Sequence, residues 1–465
     1  MKSHFCIRDL VEITGGRLKL GAMPPIGGEL QPLGRVVVDC RQVRPGDVYW
    51  SLDRDNPESG LPEEAFARSA LGVVTAGRRV EPWAGKFAIQ VEDSRAALRQ
   101  LVRVARSRFQ GYLVAVAGHT GKTTAASWIE AALSARGPGY RADATQSPAF
   151  NPRTLLELAA EHRYGVFELS DDASDSFAEQ TRWIAPHAAV LLNADTGVHT
   201  PTEIHIAAEQ VHALRDALPT DGAILVNGDD ELLARALPRF CPQVLRVGRR
   251  SNCDWAATHI RLADGWLEFT VDGTPLRVRS AGRHGLHSAL AAFALGRLIG
   301  LPAAELAARL ERAPAPAQGC RYWLNSDCKL LIDSPKNRPQ AALAALAALR
   351  DARSLGRRIL VVGDIFADRN DASSQMIKLA QAAAARFGVD VLVGFGAQAD
   401  GLAQAARTAG LGPRAVAALE GREEALNWVR RQRQAADVAL VLGRTPDEAE
   451  WFARELSPDG ASAAA

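Results

Sequence analysis

Residues 110–133 read QGYLVAVAGHTGKTTAASWIEAAL, and the fold can be worked outward from them. Tyr112 to Ala117 is a short apolar, β-branched run, and after Gly118-His119-Thr120-Gly121-Lys122-Thr123-Thr124 the apolar residues recur at helical spacing. Strand, glycine loop and helix in that order can bind phosphate for two reasons. The loop turns successive backbone N–H groups toward a concavity, and the helix adds the positive end of its dipole. Lys122 then reaches the outer phosphates of a nucleotide, and the Thr123 hydroxyl takes a Mg2+ position. The loop is short, with two residues between Gly118 and Gly121 where the common phosphate-binding loop has four. A glycine turn followed by a lysine, with no ligand, stays open as the plainer reading.

At 465 residues the chain exceeds one ordinary core, and domains of about 100 to 200 residues suggest three. Hydrophobic residues make up 47% of it, enough to bury sizeable cores. Lys and Arg number 55 against 53 Asp and Glu, so the charge gives no reason to expect nucleic acid or a membrane surface as a partner. Arg249-Arg250 and Arg357-Arg358 are read as solvated surface charges. Six scattered cysteines form no CxxC pair, which favours reduced thiols over zinc or disulfides. The N-terminus is interrupted by Arg8, Asp9 and Glu12, unlike a signal peptide, and no apolar run approaches the roughly 20 residues of a membrane span. A soluble, cytoplasmic monomer is expected.

Residues 1–108 are expected to form a small α/β domain. Ile7 to Ile13 suits a helix, Arg35 to Asp39 a buried strand, Glu63 to Ala70 a helix and Gly72 to Thr75 a strand. Pro45-Gly46 turns the chain into a further strand at Val48-Tyr49-Trp50. Asp39-Cys40-Arg41 followed by Pro45-Gly46-Asp47-Val48 resembles the Asp-Ser-Arg and Pro-Gly-Asp-Leu-Phe segments in the first domain of the Mur ligases, the ATP-dependent amide ligases of peptidoglycan synthesis. The resemblance implies that this domain holds the uridine nucleotide of the substrate, with Asp39, Cys40 and Arg41 as contacts. Cys40 stands where the family has serine, trading a hydroxyl for a weak thiol. On the residues alone, a Pro-Gly turn in a domain that binds nothing explains the stretch equally well.

The resemblance continues in order along nearly the whole chain. Gly118 to Thr124 is similar to Gly-Thr-Asn-Gly-Lys-Thr-Thr, which assigns Gly118, His119, Thr120, Gly121, Lys122, Thr123 and Thr124 to ATP. Asn151-Pro152 with Leu155-Leu156 resembles the MurF branch, which adds D-alanyl-D-alanine to a UDP-muramoyl tripeptide. Tyr164 to Ser170 is a strand with Glu168 at its C-terminal end, where open α/β sheets place their ligand crevice. The family's matching Glu ligates Mg2+, and a His after the next strand contacts a second metal. Lys122, Glu168 and His199 are thereby the implied catalytic residues, and Thr123, Glu168 and His199 the implied metal ligands. A solvated strand-end acid and a surface histidine remain the alternatives for Glu168 and His199. Asn227-Gly228-Asp229-Asp230 resembles the family's Asn-x-Asp-Asp turn. Gly282 to Ala292 (GRHGLHSALAA) resembles Gly-x-His-Asn-x-x-Asn-Ala-Leu-Ala-Ala, with Gly285 and Ser288 in place of the asparagines. Asn227 and His284 join the implied ATP set.

Ala313-Pro314-Ala315-Pro316 reads as a hinge. Beyond it, Gly319-Cys320-Arg321 resembles a Gly-Arg that contacts ATP phosphates. Asp333-Ser334-Pro335-Lys336-Asn337-Arg338-Pro339 resembles Asp-x-Tyr-Asn-Ala-Asn-Pro, with Lys336 and Arg338 replacing both asparagines. Arg321, Asp333 and Lys336 complete the implied ATP contacts. Strands at 330–333, 359–362, 389–393 and 438–442, with a helix over 340–350, indicate a parallel Rossmann-like sheet. The fold class is therefore α/β with three domains. A central P-loop-type parallel-sheet domain (109–315) is flanked by the small N-terminal α/β domain (1–108) and a C-terminal Rossmann-like domain (316–465).

What the resemblance implies is amide formation through an acyl phosphate, with ATP and Mg2+ as cofactors. The partners would be a UDP-muramoyl peptide-type acid and a small amino acid or dipeptide. One absence weighs against it. The family carries a carbamylated lysine on the helix after the metal-binding His, yet no lysine occurs between His199 and Gly222, and Gln210 stands near its place. A neutral side chain there cannot help hold a second metal. The alternative is a degenerate Mur ligase homologue that binds nucleotide, precursor or a partner without ligating.

Overall fold

The stretch around the glycine loop folds as its spacing predicts, into a strand Tyr112–Ala117 and a helix Lys122–Leu133. The computed structural model describes residues 5–52, 61–77, 79–142, 152–170, 176–194, 201–237, 243–263, 265–315, 319–325, 328–335 and 337–456, with the backbone alone at 324, 325 and 328. These form two units. The first is Met1–Ala115, Arg136–His187 and Ala217–Pro219, and the second is Val116–Ala135, Ala188–Asp216 and Thr220–Ala465.

In the first unit a five-stranded sheet runs in the order Arg17–Leu20, Phe87–Val91, Gly72–Ala76, Val48–Trp50, Val36–Val37. Its first pair is antiparallel and the rest are parallel. Ile7 and Leu10 of the helix Ile7–Thr14 pack with Trp50, Ile89 and Leu101 in its core. The strand expected over 35–39 shrinks to Val36–Val37, because the Asp39 carboxylate accepts from the Arg41 backbone N–H and turns the chain into a 3-10 helix. An unpredicted helix, Ser94–Arg108, starts at Asp93, whose side chain caps the N–H groups of Arg95 and Ala96. The same unit holds Gly139–Arg141 parallel to Tyr164–Glu168. The latter lies beside the start of Tyr112–Ala117, where Tyr112 N–H donates to the Arg163 carbonyl at 2.9 Å.

In the second unit Ala188–Leu191, Ala223–Asn227, Val244–Gly248 and Trp255–Ala256 are successive parallel neighbours. Leu192 N–H reaches the carbonyl of Ala117, so the glycine loop leaves from the C-terminal edge of these strands. An antiparallel meander, Thr258–Ala263, Trp266–Val271 and Thr274–Arg279, follows and has no counterpart in the predicted scheme. The helix Leu286–Leu298 is buried on nearly every side. The last sheet has the order Arg321–Asn325, Cys328–Asp333, Val438–Leu442, Arg358–Val362, Val391–Phe395, Val416–Leu419. It is parallel as expected except at one edge, where Arg321–Asn325 pairs antiparallel with its neighbour. Leu331, Leu360 and Leu440 face one buried cluster and Leu330, Ile359 and Val441 the other, the alternation of a sheet covered on both faces.

The paired arginines do more than decorate the surface. Arg249 binds Asp229, whose side chain is almost wholly covered, and Arg357 the buried Asp437, at 3.0 and 2.8 Å. Cys6, Cys40, Cys253 and Cys320 are thiols rather than disulfides. Among the described residues no helix is long and apolar enough to cross a membrane.

Candidate functional site

Gly118 (φ +132°) and Gly121 (φ +81°) both hold backbone that L side chains rarely adopt, which is why the loop needs them. Between them the chain is fastened by Asn193, just past the strand Ala188–Leu191. Its Oδ1 accepts from the N–H groups of His119 and Thr120 at 2.8 and 3.1 Å, and its Nδ2 donates to the Thr120 carbonyl at 2.9 Å. Two of the loop donors expected to meet phosphate are thus engaged by this amide. Lys122 is almost fully buried, and its Nζ donates to the Gly118 carbonyl at 2.6 Å, giving a sequestered ammonium an acceptor inside its own loop. The helix behind it begins at Gly121 with no side-chain cap, so its dipole end is presented at the loop.

Thr120, Gly121 and Thr124 form part of the wall of a cleft that encloses about 950 Å³, some of it open solvent. Asn227, His284, Arg321 and Asp333 line the same cleft, so these predicted nucleotide contacts converge although up to 213 positions separate Thr120 from Asp333. His287 and Ser288 line the cleft too. His287 Nε2 lies 2.8 Å from Asp229 Oδ2. Burial by itself pushes the Asp229 carboxyl up, but hydrogen bonds from His287 and Arg249 outweigh it and hold the group well below the carboxylate range. Next to it, Asn227 Oδ1 accepts from Asp229 N–H, and Asp230 caps the following helix while also accepting from Ala194 N–H. Arg321 turns its guanidinium to Glu450 at 2.8 Å, and its buried Nε has no hydrogen-bond partner among the described residues. Arg338 Nη1 donates to the His119 carbonyl at 2.9 Å.

Two family descriptions match the chain, "Mur ligase middle domain" over residues 116–296 and "Mur ligase, glutamate ligase domain" over 323–445. The chain belongs to the Mur ligase family. It is 27% identical over 401 residues to the UDP-N-acetylmuramoyl-tripeptide--D-alanyl-D-alanine ligase of Escherichia coli (strain K12), covering 82% of this chain and 86% of that one. To the ligase of the same name from Synechocystis sp. it is 28% identical, over 71% and 72%. MurF from Acinetobacter baumannii has the same fold, with a TM-score of 0.76 at 21% identity over 96% of this chain and 97% of the other. MurF from Thermotoga maritima, solved in complex with ADP, superposes with a TM-score of 0.70 at 19% identity over 91% and 97%.

The remaining predicted residues of this Mur ligase fall elsewhere. Gly118, His119, Lys122 and Thr123 belong to the loop and helix start without lining the cleft. Glu168 ends its strand in the first unit. Asp39, Cys40 and Arg41 form the 3-10 turn of that unit, where Arg41 pairs with Asp39 at 2.9 Å and lowers its pKa. Cys40 points inward, its thiol donating to Glu64 at 3.3 Å, and burial followed by that carboxylate pushes the thiol pKa up. Asn151, His199 and Lys336 lie outside the described residues. Sequence reasoning passed over the Asn193 clamp and the Asp229–His287 pair, although Asp229 and His287 both stand in motifs quoted above.

Proposed function

We propose that this Mur ligase joins a UDP-muramoyl peptide-type acid to the amine of a small amino acid or dipeptide at the cost of ATP, in the manner of the MurF branch. The substrate carboxylate attacks the γ-phosphate, ADP leaves, and the amine displaces inorganic phosphate from the acyl phosphate to form the amide. The observation that carries this reading is the convergence of Thr120, Gly121 and Thr124 with Asn227, His284 and Asp333 on one cleft at a glycine loop. Lys122 is proposed to leave the Gly118 carbonyl for the β- and γ-phosphates, and Arg321 to offset charge as the phosphoryl group moves. A Mg2+ ion, when bound, would neutralise phosphate charge. The Thr123 hydroxyl is a hard oxygen donor of the kind it takes, with Glu168 and His199 proposed from the resemblance alone. The reaction is assigned to the cytoplasm and to a monomer.

A specific observation favours a second reading, a homologue that binds nucleotide or precursor without ligating. The helix Pro201–Ala217 carries no lysine, and Gln210 stands near the family's carbamylated position. Phosphate release from ATP, assayed with UDP-muramoyl tripeptide and D-alanyl-D-alanine, separates the two. Turnover at ordinary enzyme rates supports the first reading. ATP binding without turnover on any acid and amine pair supports the second.

A further inference from the structure

A second concavity lies wholly within the first unit and encloses about 980 Å³, including open solvent. It sits where the chain enters the strands Tyr112–Ala117, Gly139–Arg141 and Tyr164–Glu168. Three segments each deliver one guanidinium to it. Arg108 ends the helix Ser94–Arg108, Arg136 closes a 3-10 turn, and Arg163 immediately precedes Tyr164. Among the described residues, no Asp or Glu lines the concavity.

The three cations are not equally committed. Arg108 pairs with Asp9 at 2.9 Å and lies over the Phe5 ring. Arg136 and Arg163 are exposed, and among the described residues neither side chain has a hydrogen bond or ion pair. The guanidinium of Arg136 stands over the ring of Tyr112, 5.9 Å from its centroid, and that ring stacks in turn on His187 at 5.2 Å. The backbone at the floor is already used, since Tyr112 N–H donates to the Arg163 carbonyl and Arg163 N–H to that of Pro138. These two N–H groups are not offered to a ligand, and the guanidinium side chains are. Arg136 and Arg163, which no carboxylate offsets among the described residues, repel one another, and an oxyanion seated between them removes the repulsion while accepting forked hydrogen bonds. Gln110 adds an amide, and Phe109 and Tyr112 give an apolar face beside the charge.

We propose that this concavity binds a small phosphate-bearing anion, separately from the nucleotide cleft. The shared chemistry is a di- or polyanionic phosphate, either free or as the ester of an aromatic group that packs beside Phe109 and Tyr112. It does not depend on the ligase reading.

Calorimetric titration of the full chain with inorganic pyrophosphate at low ionic strength tests it, where surface charges are least screened. Two classes of site are expected in the wild type. Arg136→Gln with Arg163→Gln should weaken one class about tenfold or more and leave ATP affinity unchanged, while Lys122→Gln should weaken the other. The paired variant Arg136→Lys with Arg163→Lys, which keeps charge but not the fork, should fall between. It also answers the question if the glutamine pair fails to fold. Phenyl phosphate binding more tightly than inorganic phosphate, with the margin lost in Tyr112→Leu, identifies an ester as the ligand. Equal binding identifies the free anion. Pyrophosphate binding to the glutamine pair with wild-type stoichiometry and affinity would overturn the proposal.

Discussion

Arg338 holds the carbonyl of His119 at 2.9 Å, a contact that spans 219 positions and joins the start of the helix Pro339–Asp351 to the glycine loop. Arginine remains charged at any working pH and presents a planar fork of donors, so it brings a permanent cation to the loop that carries the proposed phosphate site. Arg338→Ala is expected to raise KM for ATP about tenfold, the order of one hydrogen bond to a charged group. Because the side chain is exposed, the melting temperature should hardly move. Steady-state phosphate release with ATP varied checks this, and Arg338→Lys should recover only part of the loss. An unchanged KM in the alanine variant would reduce the contact to a surface tether.

Asn193 is the loop's other anchor, and its two variants should part company. Asn193→Ala abandons the N–H groups of His119 and Thr120 and the carbonyl of Thr120 together, at a cost of about 2 kcal/mol in unfolding free energy. Asn193→Asp keeps the acceptor and is expected to be the more stable of the two. It places a negative charge beside the phosphate cradle, so it should bind ATP more weakly than the alanine variant. Urea denaturation and nucleotide titration of both proteins test the ordering.

The loop could be read from the sequence because strand, glycines and helix are contiguous there, and each element is fixed by its own residues. Asn193 could not be read in that way, since its partners lie 73 and 74 positions away and nothing local marks it as a clamp. The same holds for His287 and Asp229, brought together across 58 positions by the helix Leu286–Leu298 and the turn after Ala223–Asn227. The meander over 258–279 is a different kind of miss. Asp264-Gly265 and Asp272-Gly273 are hairpin signals between alternating stretches, and Asp272 and Gly273 do adopt the positive φ of such a turn. A scheme built on parallel strands and helices left no place for them. Among the N-terminal residues, the inward turn of Cys40 toward Glu64 depends on tertiary packing that no spacing discloses.

Asp229 makes stability depend on pH in a definite direction. Its folded pKa lies below the ordinary 3.8, so its contribution is fully present above that value and is lost as the pH falls from there toward the folded pKa. Asp229→Asn removes the charge that His287 and Arg249 hold. It is expected to be less stable than the wild type by about 2 kcal/mol at pH 7, with the gap closing below about pH 4. Denaturant melts of both proteins at pH 7 and pH 3 check it. A gap that stays constant between the two would mean that the carboxylate's charge contributes nothing.

Gly121 separates strain from ligand binding. Its φ of +81° penalises any side chain by about 1 kcal/mol, yet an added Cβ would meet only Leu192 Cδ1 at 3.5 Å and Ser288 Oγ at 3.6 Å, which is ordinary contact. Gly121→Ala should therefore fold with only that modest loss. The new methyl would stand on the cleft wall beside Thr120 and Thr124, where a triphosphate has to approach the backbone. ATP affinity is expected to drop at least about tenfold, well beyond what a 1 kcal/mol change in stability explains. Measuring the melting temperature and ATP binding on the same preparation tests the claim, and wild-type affinity in a folded Gly121→Ala protein would remove the triphosphate from this loop.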